Sequence, residues 1–321
     1  MIDYDIAAFG EILIDFTSQG INENGQMLFA QNPGGAPANV LVCASRLHAH
    51  TAFLGKVGKD MHGDFLRNVL EKEQVATQGL ISDKDYFTTL AFVSISDDGE
   101  RRFSFARKPG ADTQIQKQEL DLDILQHCHV FHVGSLSLTD EPSRSTTFYA
   151  IEQAKTNGAI ISYDPNYRAS LWENETIAKA HMRSLIPDVD IMKLSDEETA
   201  LLTDFDDPQQ AAIALYQQGV KIVVVTLGSS GAYVYCKDGG QYVPGFTTKA
   251  IDTTGAGDSF WGGFLYQICQ CKKAPIDFHS QELCDFARFG NAVASLCVEN
   301  KGAIPAMPYL PQVQERLHSI K

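Results

Sequence analysis

The chain has 321 residues, and its 26 lysines and arginines against 40 aspartates and glutamates give a net charge of −14. This charge argues against a protein that binds nucleic acid or an anionic membrane, because both need basic surface. Hydrophobic residues make up 44% of the chain and charged residues 21%, the balance of an ordinary globular protein. The length is compatible with two domains or with one large α/β domain.

The sequence predicts a cytoplasmic location. No apolar run approaches the roughly 20 residues of a membrane span. The first residues carry no basic segment of the kind that opens a signal peptide. The seven cysteines are an odd set without a C-x-x-C pair, which favours free thiols in a reducing compartment.

The predicted elements alternate along the chain. Short apolar runs rich in β-branched residues predict strands at 6–9, 52–57, 130–133, 159–163, 189–194 and 222–226. Amphipathic patterns between them predict helices at 36–48, 60–73, 143–157, 196–203 and 208–218, followed by 255–271, 281–299 and a short terminal helix. Strands that alternate with helices are typical of βαβ units around a mainly parallel sheet.

Two regions interrupt this alternation. Residues 16–31 are polar and rich in glycine and asparagine, and two alternating strands at 88–96 and 101–107 are joined by Asp97-Asp98-Gly99-Glu100. An Asp-Gly pair is a strong hairpin signal. We predict that about 16–31 and 88–110 form a small antiparallel β lid over one end of the sheet in a single domain of residues 1–321. The alternative is a surface hairpin without a role.

The most informative segment follows the sixth predicted strand. Gly255-Ala256-Gly257 places small residues directly before an apolar helical run, so their N–H groups can form an anion site at a helix N-terminus. Asp258 then stands in the first turn, where a carboxylate can cap the helix or act as a base beside a bound phosphate. The segment fits neither G-x-x-x-x-G-K-[ST] nor G-x-G-x-x-G.

Residues 252–258 resemble the D-T-x-G-A-G-D signature of the ribokinase-like (PfkB-type) carbohydrate kinases. Gly34-Gly35-Ala36-Pro37-Ala38-Asn39 and the glycine-containing segment 226–231 match the same family in the same order over essentially the whole chain. Within the family, residues 10–15, 103–112 and 164–168 are most similar to fructokinases. The 2-keto-3-deoxygluconate and aminoimidazole riboside kinases share much of this pattern and stay as alternatives.

This resemblance implies a three-layer α/β/α sandwich and an enzyme that transfers the γ-phosphoryl group of ATP to fructose, giving fructose 6-phosphate. Asp258 would take the proton of the sugar hydroxyl. The amides of Gly255, Ala256 and Gly257 would stabilise charge on the transferred group, and Mg²⁺ would arrive bound to ATP. A non-catalytic sugar or nucleotide sensor on the same fold is the alternative of another class, and ADP release over a sugar panel separates the two.

The resemblance also implies two sets of binding residues. The sugar would contact Asp15, Gly34, Gly35, Asn39, Arg107 and Arg168. The nucleotide would contact Lys193, Ser195, Glu198, Thr226, Gly228, Gly231 and Asn291. For the two arginines the alternative is a surface ion pair, for Lys193 a strand-end lysine, and for Asn291 an asparagine on a helix surface. Ser195 stands where the family usually has Asn, so its direct contact with the nucleotide is the weakest match.

Two further features follow from the resemblance. Many relatives are activated by a monovalent cation, and the corresponding residues are Asp252, Thr254, Cys297, Asn300, Gly302 and Ala306. Their ligands would be mostly backbone carbonyls, which suits K⁺. Some relatives pair their lids into a homodimer while others are monomers, so the resemblance leaves the oligomeric state open.

Overall fold

The computed structural model describes residues 3–95 and 101–319. Within these residues, ten strands form one sheet that lies between two layers of helices, and four strands form a second, smaller sheet. The predicted turn Asp97-Asp98-Gly99-Glu100 lies outside the described residues.

The strands have the following bounds: β1 Tyr4–Phe9, β2 Leu13–Ile21, β3 Met27–Gly34, β4 Thr51–Gly58, β5 Val75–Ala76, β6 Leu80–Asp83, β7 Leu90–Ile95, β8 Arg101–Ala106, β9 Cys128–Gly134, β10 Ile160–Asp164, β11 Ile191–Ser195, β12 Ile222–Thr226, β13 Gly231–Cys236 and β14 Gly239–Pro244. The helices are α1 Ala36–Arg46, α2 Met61–Lys72, α3 Leu122–Gln126, α4 Ser143–Thr156, α5 Glu175–Ser184, α6 Thr199–Thr203, α7 Pro208–Gln217, α8 Ala256–Cys271, α9 Ser280–Cys297 and α10 Leu310–His318.

The large sheet has the order β14-β13-β12-β11-β10-β9-β1-β4-β5, with β6 beside β4. Strands β4, β1, β9, β10, β11 and β12 are mutually parallel. Their apolar runs are buried on both faces, which explains why they show no polar alternation. One core packs the sheet against α1, α8 and α9, and the other packs it against α4, α5 and α7.

The six predicted strands are all present, with ends that differ by up to two residues. The elements that were not predicted are the helices α3 and α5, the short strands β5 and β6, and the antiparallel pair β13–β14 at the sheet edge. The predicted helix at 196–203 is a 3₁₀ turn, Asp196–Glu198, followed by the short helix α6. The last parallel strand is therefore followed by a meander that extends the sheet.

The second sheet has the order β3-β2-β7-β8 and combines both segments that interrupt the alternation. The prediction that this unit is wholly antiparallel is wrong, because β2 pairs with β7 in parallel. Side chains on this sheet form an aromatic group in which Phe16 stacks on Phe92 at 5.3 Å between ring centroids. Ile21, Met27, Leu28 and Phe29 are exposed. Among the described residues, no helix is both long enough and apolar enough to cross a membrane.

Candidate active site

Parallel strands place their carboxyl ends at one edge of the sheet, and polar residues follow at that edge. Asp164 ends β10, Ser195 ends β11 and Thr226 ends β12. The N-terminus of α8 faces the same edge, since the Lys193 ammonium of β11 lies 3.0 Å from the position that a Cβ on Gly257 would take. The topology thus gathers three distant segments beside the start of one helix.

Helix α8 begins directly after Gly255, whose φ of 77° is in the left-handed region. A Cβ at Gly255 would also lie 2.9 Å from the Ala303 Cβ, so the turn requires glycine. One of the three amides of the predicted anion hole is engaged in a turn. The N–H of Ala256 donates to the Thr253 carbonyl at 3.2 Å, so this amide is engaged within the loop and becomes available to an anion only when that bond opens.

Asp258 lies in the first turn of α8 and is buried. Its Oδ2 accepts a hydrogen bond of 2.7 Å from the Asn39 amide, which joins α8 to α1 across 219 residues of sequence. Burial and the nearby charge of Asp164 raise the pKa of Asp258, while Asn39, Lys193 and Arg168 act in the opposite direction. A carboxylate with a raised pKa is a better proton acceptor, as a general base must be.

Asp15, on β2, contributes a second carboxylate close to Asp258. Burial raises its pKa to about 6; the charge of Asp258 acts in the same direction, and Arg168 opposes both. A Cβ on Gly34 would collide with the Asp15 carboxylate. At Gly35, where φ is 112°, a Cβ would lie 2.5 Å from the Glu11 carbonyl. Gly34 therefore lets the backbone pack closely against Asp15, and Gly35 lets it pack against the backbone of Glu11 and Ile12.

The two predicted arginines have different surroundings. Arg168 is exposed, and its charge acts on both Asp15 and Asp258. Arg107 is buried, and its guanidinium donates to Asp112 Oδ2, Thr139 Oγ1 and the Leu136 carbonyl at 2.8 to 2.9 Å. The surface ion pair considered for Arg107 is wrong, because its pair with Asp112 is buried. These bonds occupy hydrogen-bond donors of Arg107 with protein groups. Contact of Arg107 with a sugar stays a prediction.

Lys193 is buried and forms a 2.7 Å ion pair with Asp164 Oδ2. Burial lowers the pKa of Lys193, but the charges of Asp164, Glu198 and Asp258 outweigh burial and raise it. Asp164 Oδ1 is buried without a hydrogen-bond partner. The ammonium is therefore paired with Asp164 and also interacts electrostatically with Glu198 and with the base candidate, Asp258.

Ser195 and Glu198 bond to each other rather than to open space. Glu198 Oε2 accepts from the Ser195 N–H at 2.8 Å and from its hydroxyl at 3.0 Å. Glu198 Oε1 accepts from the Tyr167 N–H at 2.7 Å, which ties the loop carrying Arg168 to the end of β11. Direct contact of Ser195 with a nucleotide would require this hydroxyl to turn away from Glu198.

A cavity of about 500 Å³ runs from the start of α8 to helix α9. Four of the predicted nucleotide residues line it: Thr226, Gly228, Gly231 and Asn291. Lys193, Ser195 and Glu198 are not among its lining residues. Asn291 is buried, so the alternative of a helix-surface asparagine is wrong. The lining also includes residues that the sequence did not indicate: Phe246, Thr248, Ala294, Ser295 and Val298.

The predicted cation residues meet where the loop before α8 contacts the loop after α9. Asp252 Oδ1 accepts from the N–H and hydroxyl of Thr254, and its Oδ2 accepts from the Gly302 N–H at 2.9 Å. Carboxylate and carbonyl oxygens fit K⁺. The Cys297 thiol does not fit K⁺. Burial raises its pKa to about 11, so it stays protonated and neutral, and its S–H donates to the Thr254 carbonyl, 3.9 Å away. The Asn300 side chain turns back to the Leu296 carbonyl, 3.4 Å away.

A parallel sheet with a buried carboxylate, a helix N-terminus and a cavity at its carboxyl edge is the arrangement expected of a phosphotransferase. The sequence profile described as pfkB family carbohydrate kinase matches residues 3–310. The chain belongs to this family, and it is a phosphotransferase that acts on a sugar hydroxyl. The predicted ribokinase-like fold is confirmed.

Three relatives are similar over nearly the whole chain. Fructokinase-2 of Oryza sativa subsp. japonica is 40% identical over 314 residues, which cover 97% of this chain and 93% of the relative. The structure of a fructokinase with bound ATP from Xylella fastidiosa is 33% identical, with a TM-score of 0.90 and coverage of 98% and 99%. A fructokinase double mutant from Vibrio cholerae O395, in a form that binds fructose, ADP and potassium ion, is 32% identical, with a TM-score of 0.86 and the same coverage.

Proposed function

We propose that this enzyme transfers the γ-phosphoryl group of ATP to fructose, giving fructose 6-phosphate and ADP. The observation that carries the proposal is the position of Asp258. Its buried carboxylate accepts a hydrogen bond of 2.7 Å from Asn39 and lies near enough to Asp15, on the second sheet, for the two charges to interact. It stands in the first turn of α8, and the start of this helix lines the cavity. The names of the relatives support fructose as the acceptor.

In the proposed reaction, Asp258 takes the proton of the sugar hydroxyl. The hydroxyl oxygen then forms a bond to the γ-phosphorus, while the bond from that phosphorus to the β,γ-bridging oxygen breaks and its electron pair leaves with ADP. The amides of Gly255 and Gly257, and that of Ala256 once released from Thr253, stabilise charge on the transferred group. Lys193 supplies a fixed positive charge beside Gly257.

The sugar lies between Asp15, Asn39 and the backbone of Gly34 and Gly35, under the lid formed by about residues 16–31 and 88–110. Arg168 contacts the sugar or the transferred phosphate through its planar guanidinium. Arg107, through its bonds to Asp112 and Thr139, holds the end of the lid segment near the sugar. Adenosine and its phosphates occupy the cavity between Thr226, Gly228, Gly231 and Asn291. Glu198 would order water on the Mg²⁺ that arrives with ATP, and Ser195, which donates to Glu198 Oε2, would hold that carboxylate in place.

K⁺ is proposed between Asp252 and the carbonyls of Thr254, Gly302 and the chain near Ala306, with Cys297 and Asn300 contributing backbone rather than side chains. When bound, it supplies positive charge next to the anion-binding turn. The exposed Ile21, Met27, Leu28 and Phe29 support a homodimer formed through the lids. The seven cysteines are all free thiols, which supports the cytoplasm as the location.

The proposal is tested by ADP release with a panel of acceptors. With ATP, Mg²⁺ and K⁺, we expect fructose to exceed ribose, 2-keto-3-deoxygluconate and aminoimidazole riboside in kcat/KM. Mass spectrometry and NMR of the product identify the phosphorylated hydroxyl. Preference for another acceptor would reassign the substrate, and sugar binding without turnover would favour a sensor.

Asp258→Asn tests the base. The amide keeps the shape of the side chain but cannot accept the proton, so we expect kcat to fall by about 10²- to 10⁴-fold. The exposed Asp285 on α9 offers a matched control, and Asp285→Asn should keep wild-type turnover. If Asp258→Asn keeps more than a tenth of the activity while remaining folded, the base is another group.

A further inference from the structure

Three buried polar side chains form a hydrogen-bond network between helix α8 and the large sheet. The Trp261 indole Nε1 donates to Ser162 Oγ at 3.0 Å, and Ser162 Oγ lies 3.0 Å from His132 Nδ1. Each of the three residues is at most 1% exposed. An indole nitrogen can only donate, so Ser162 Oγ is the acceptor in its bond with Trp261. The network thus joins α8 to β10, and β10 to β9.

His132 completes this network as a neutral group. Burial and the charge of Lys193 lower the pKa of His132 to about 3, so its ring carries no charge near neutral pH. It therefore exchanges no proton in the proposed reaction and serves as a hydrogen-bond partner of Ser162, its register neighbour on the adjacent strand.

The network lies one layer beneath the candidate site. Ser162 precedes Asp164 by two residues on β10, so the two side chains lie on the same face of the sheet. Trp261 follows Asp258 by three residues on α8, which is about one helical turn. Trp261 also stacks on Phe264 at 5.1 Å between ring centroids. The bond from Trp261 therefore ties α8 to the sheet directly below the turn that carries Asp258.

We propose that Trp261 is a positioning residue for phosphoryl transfer and sets the depth of the first turn of α8 on the sheet through its bond to Ser162. The same turn carries Asp258 and the amides of the proposed anion hole, so a shift of the turn moves the base and the anion-binding groups together. Asn39 holds the Asp258 side chain from α1, but it does not join α8 to the sheet. This inference rests on the proposed function, in which Asp258 is the base.

Trp261→Phe removes the indole N–H and keeps an aromatic ring against Phe264. With ATP and fructose, we expect kcat to fall about 10-fold or more, the scale of a displacement below about 1 Å. Both KM values should stay within threefold of wild type, because Trp261 is not among the proposed substrate contacts. A folded Trp261→Phe protein whose kcat stays within threefold of wild type, or whose loss is confined to KM, would overturn the proposal.

Trp172→Phe is the matched control, because it makes the same chemical change at another buried indole. Among the described residues, Trp172 Nε1 has no hydrogen-bond partner. This variant loses no hydrogen bond, so its kcat should match wild type. A similar fall of kcat in both variants would show that ring size rather than the bond to Ser162 matters, and would also overturn the proposal.

Ser162→Ala removes the same bond from the side of the sheet. Its kcat should fall by a similar factor, and combining it with Trp261→Phe should lower kcat less than twofold further, because one bond can be lost only once. Effects that multiply would show that the two side chains act separately, against the proposed network. If Ser162→Ala does not fold, because it leaves both Trp261 and His132 without this partner, Trp261→Phe and its control decide the question.

Hydrogen exchange measured by mass spectrometry tests the anchor without turnover. In the first turn of α8, the Ser259 N–H donates to the Gly255 carbonyl at 2.8 Å. Peptides that cover this turn should exchange about 10-fold faster or more in Trp261→Phe, and Trp172→Phe should match wild type. If the wild-type protein phosphorylates no sugar, the proposed function fails, but faster exchange would still support the anchor. Equal exchange in wild type and Trp261→Phe would refute it.

Discussion

Glu11 is a buried carboxyl group that the sequence did not single out for a role, and it gives the sharpest stability prediction. It is 3% exposed, its Oε1 accepts from the Ala36 N–H at 3.0 Å, and its Oε2 is buried without a partner. Gly35, which precedes α1, makes no side-chain cap. Glu11 therefore caps the helix that carries Asn39, from outside that helix.

Burial raises the pKa of Glu11 from 4.5 to about 7, and Asp112 acts in the same direction, while hydrogen bonds and Arg107 oppose them. Below pH 4.5 the group is protonated in both the folded and unfolded states, and ionisation costs nothing. As the pH rises from 4.5 to 7, the unfolded state loses its proton first, so the free energy of unfolding falls. At 1.36 kcal/mol per pKa unit, this cost reaches about 3 kcal/mol above pH 7.

Glu11→Gln keeps an oxygen that can accept from Ala36 and removes the ionisation. We expect its free energy of unfolding, relative to wild type, to rise by about 3 kcal/mol between pH 4.5 and pH 8. Urea denaturation followed by the fluorescence of Trp172 and Trp261 measures this difference at each pH. If the amide changes the free energy of unfolding for another reason, such as an unpaired NH₂ group, that change is the same at every pH. It therefore cancels when the difference from wild type is compared between pH values.

Glu152→Gln is the matched control, because Glu152 is exposed on α4 and the same chemical change there should give a nearly pH-independent difference. The reasoning would be refuted if Glu11→Gln tracked wild type at a constant offset over this pH range. A relative destabilisation that grows with pH would show that ionised Glu11 stabilises the fold.

Other predictions concern the substrate side and the ion pair. Because the pKa of Asp15 is about 6, kcat/KM for fructose should fall as pH drops through 6, and Asp15→Asn should remove this component from the pH–rate profile while the component of the base Asp258 stays. Gly34→Ala would place a methyl against the Asp15 carboxylate and should raise KM for fructose about 10-fold or more, whereas Gly134→Ala, with its nearest neighbour at 3.6 Å, should leave KM unchanged. Lys193→Met strands a buried Asp164 and should cost about 3–5 kcal/mol of stability. Adding Asp164→Asn should restore stability in urea denaturation but not turnover.

The parallel strands could be predicted because burial on both faces leaves continuous apolar runs, as in β12. The meander β13–β14 was missed although Asp238-Gly239 is a hairpin signal. Its strand β14 is an exposed edge with two glycines and a proline, so its composition resembles a loop. Helix α5 was missed although its apolar residues keep to one face, because the segment is polar on average and only two of its residues, Ala178 and Met182, are buried.

The residues of the candidate site likewise fall into those that the sequence predicts and those that it does not. Residues in short contiguous motifs, such as Gly255–Asp258, could be found from sequence because one turn of backbone determines their relation. Contacts between distant segments could not. Arg107 precedes its partner Asp112 by only five residues, yet no pattern in the sequence indicates that both are buried. Glu11 meets Ala36 only because β1 and α1 pack together, and the cavity residues Phe246 and Ser295 come together through β14 and α9 in the same way.

The acidic charge of the protein has a direct consequence at the site. Among the described residues, the carboxylates of Asp15, Asp164, Glu198 and Asp258 interact with two cations at this site, Lys193 and Arg168. Burial and the charge of Asp164 raise the pKa of Asp258, and the opposing charges of Lys193 and Arg168 are too small to cancel that rise. The phosphates of the proposed nucleotide add negative charge beside Asp258 and raise its proton affinity further. The excess of acidic residues makes it harder for the protein to attract ATP. Once ATP and its Mg²⁺ are bound, the same negative charge makes Asp258 a stronger base.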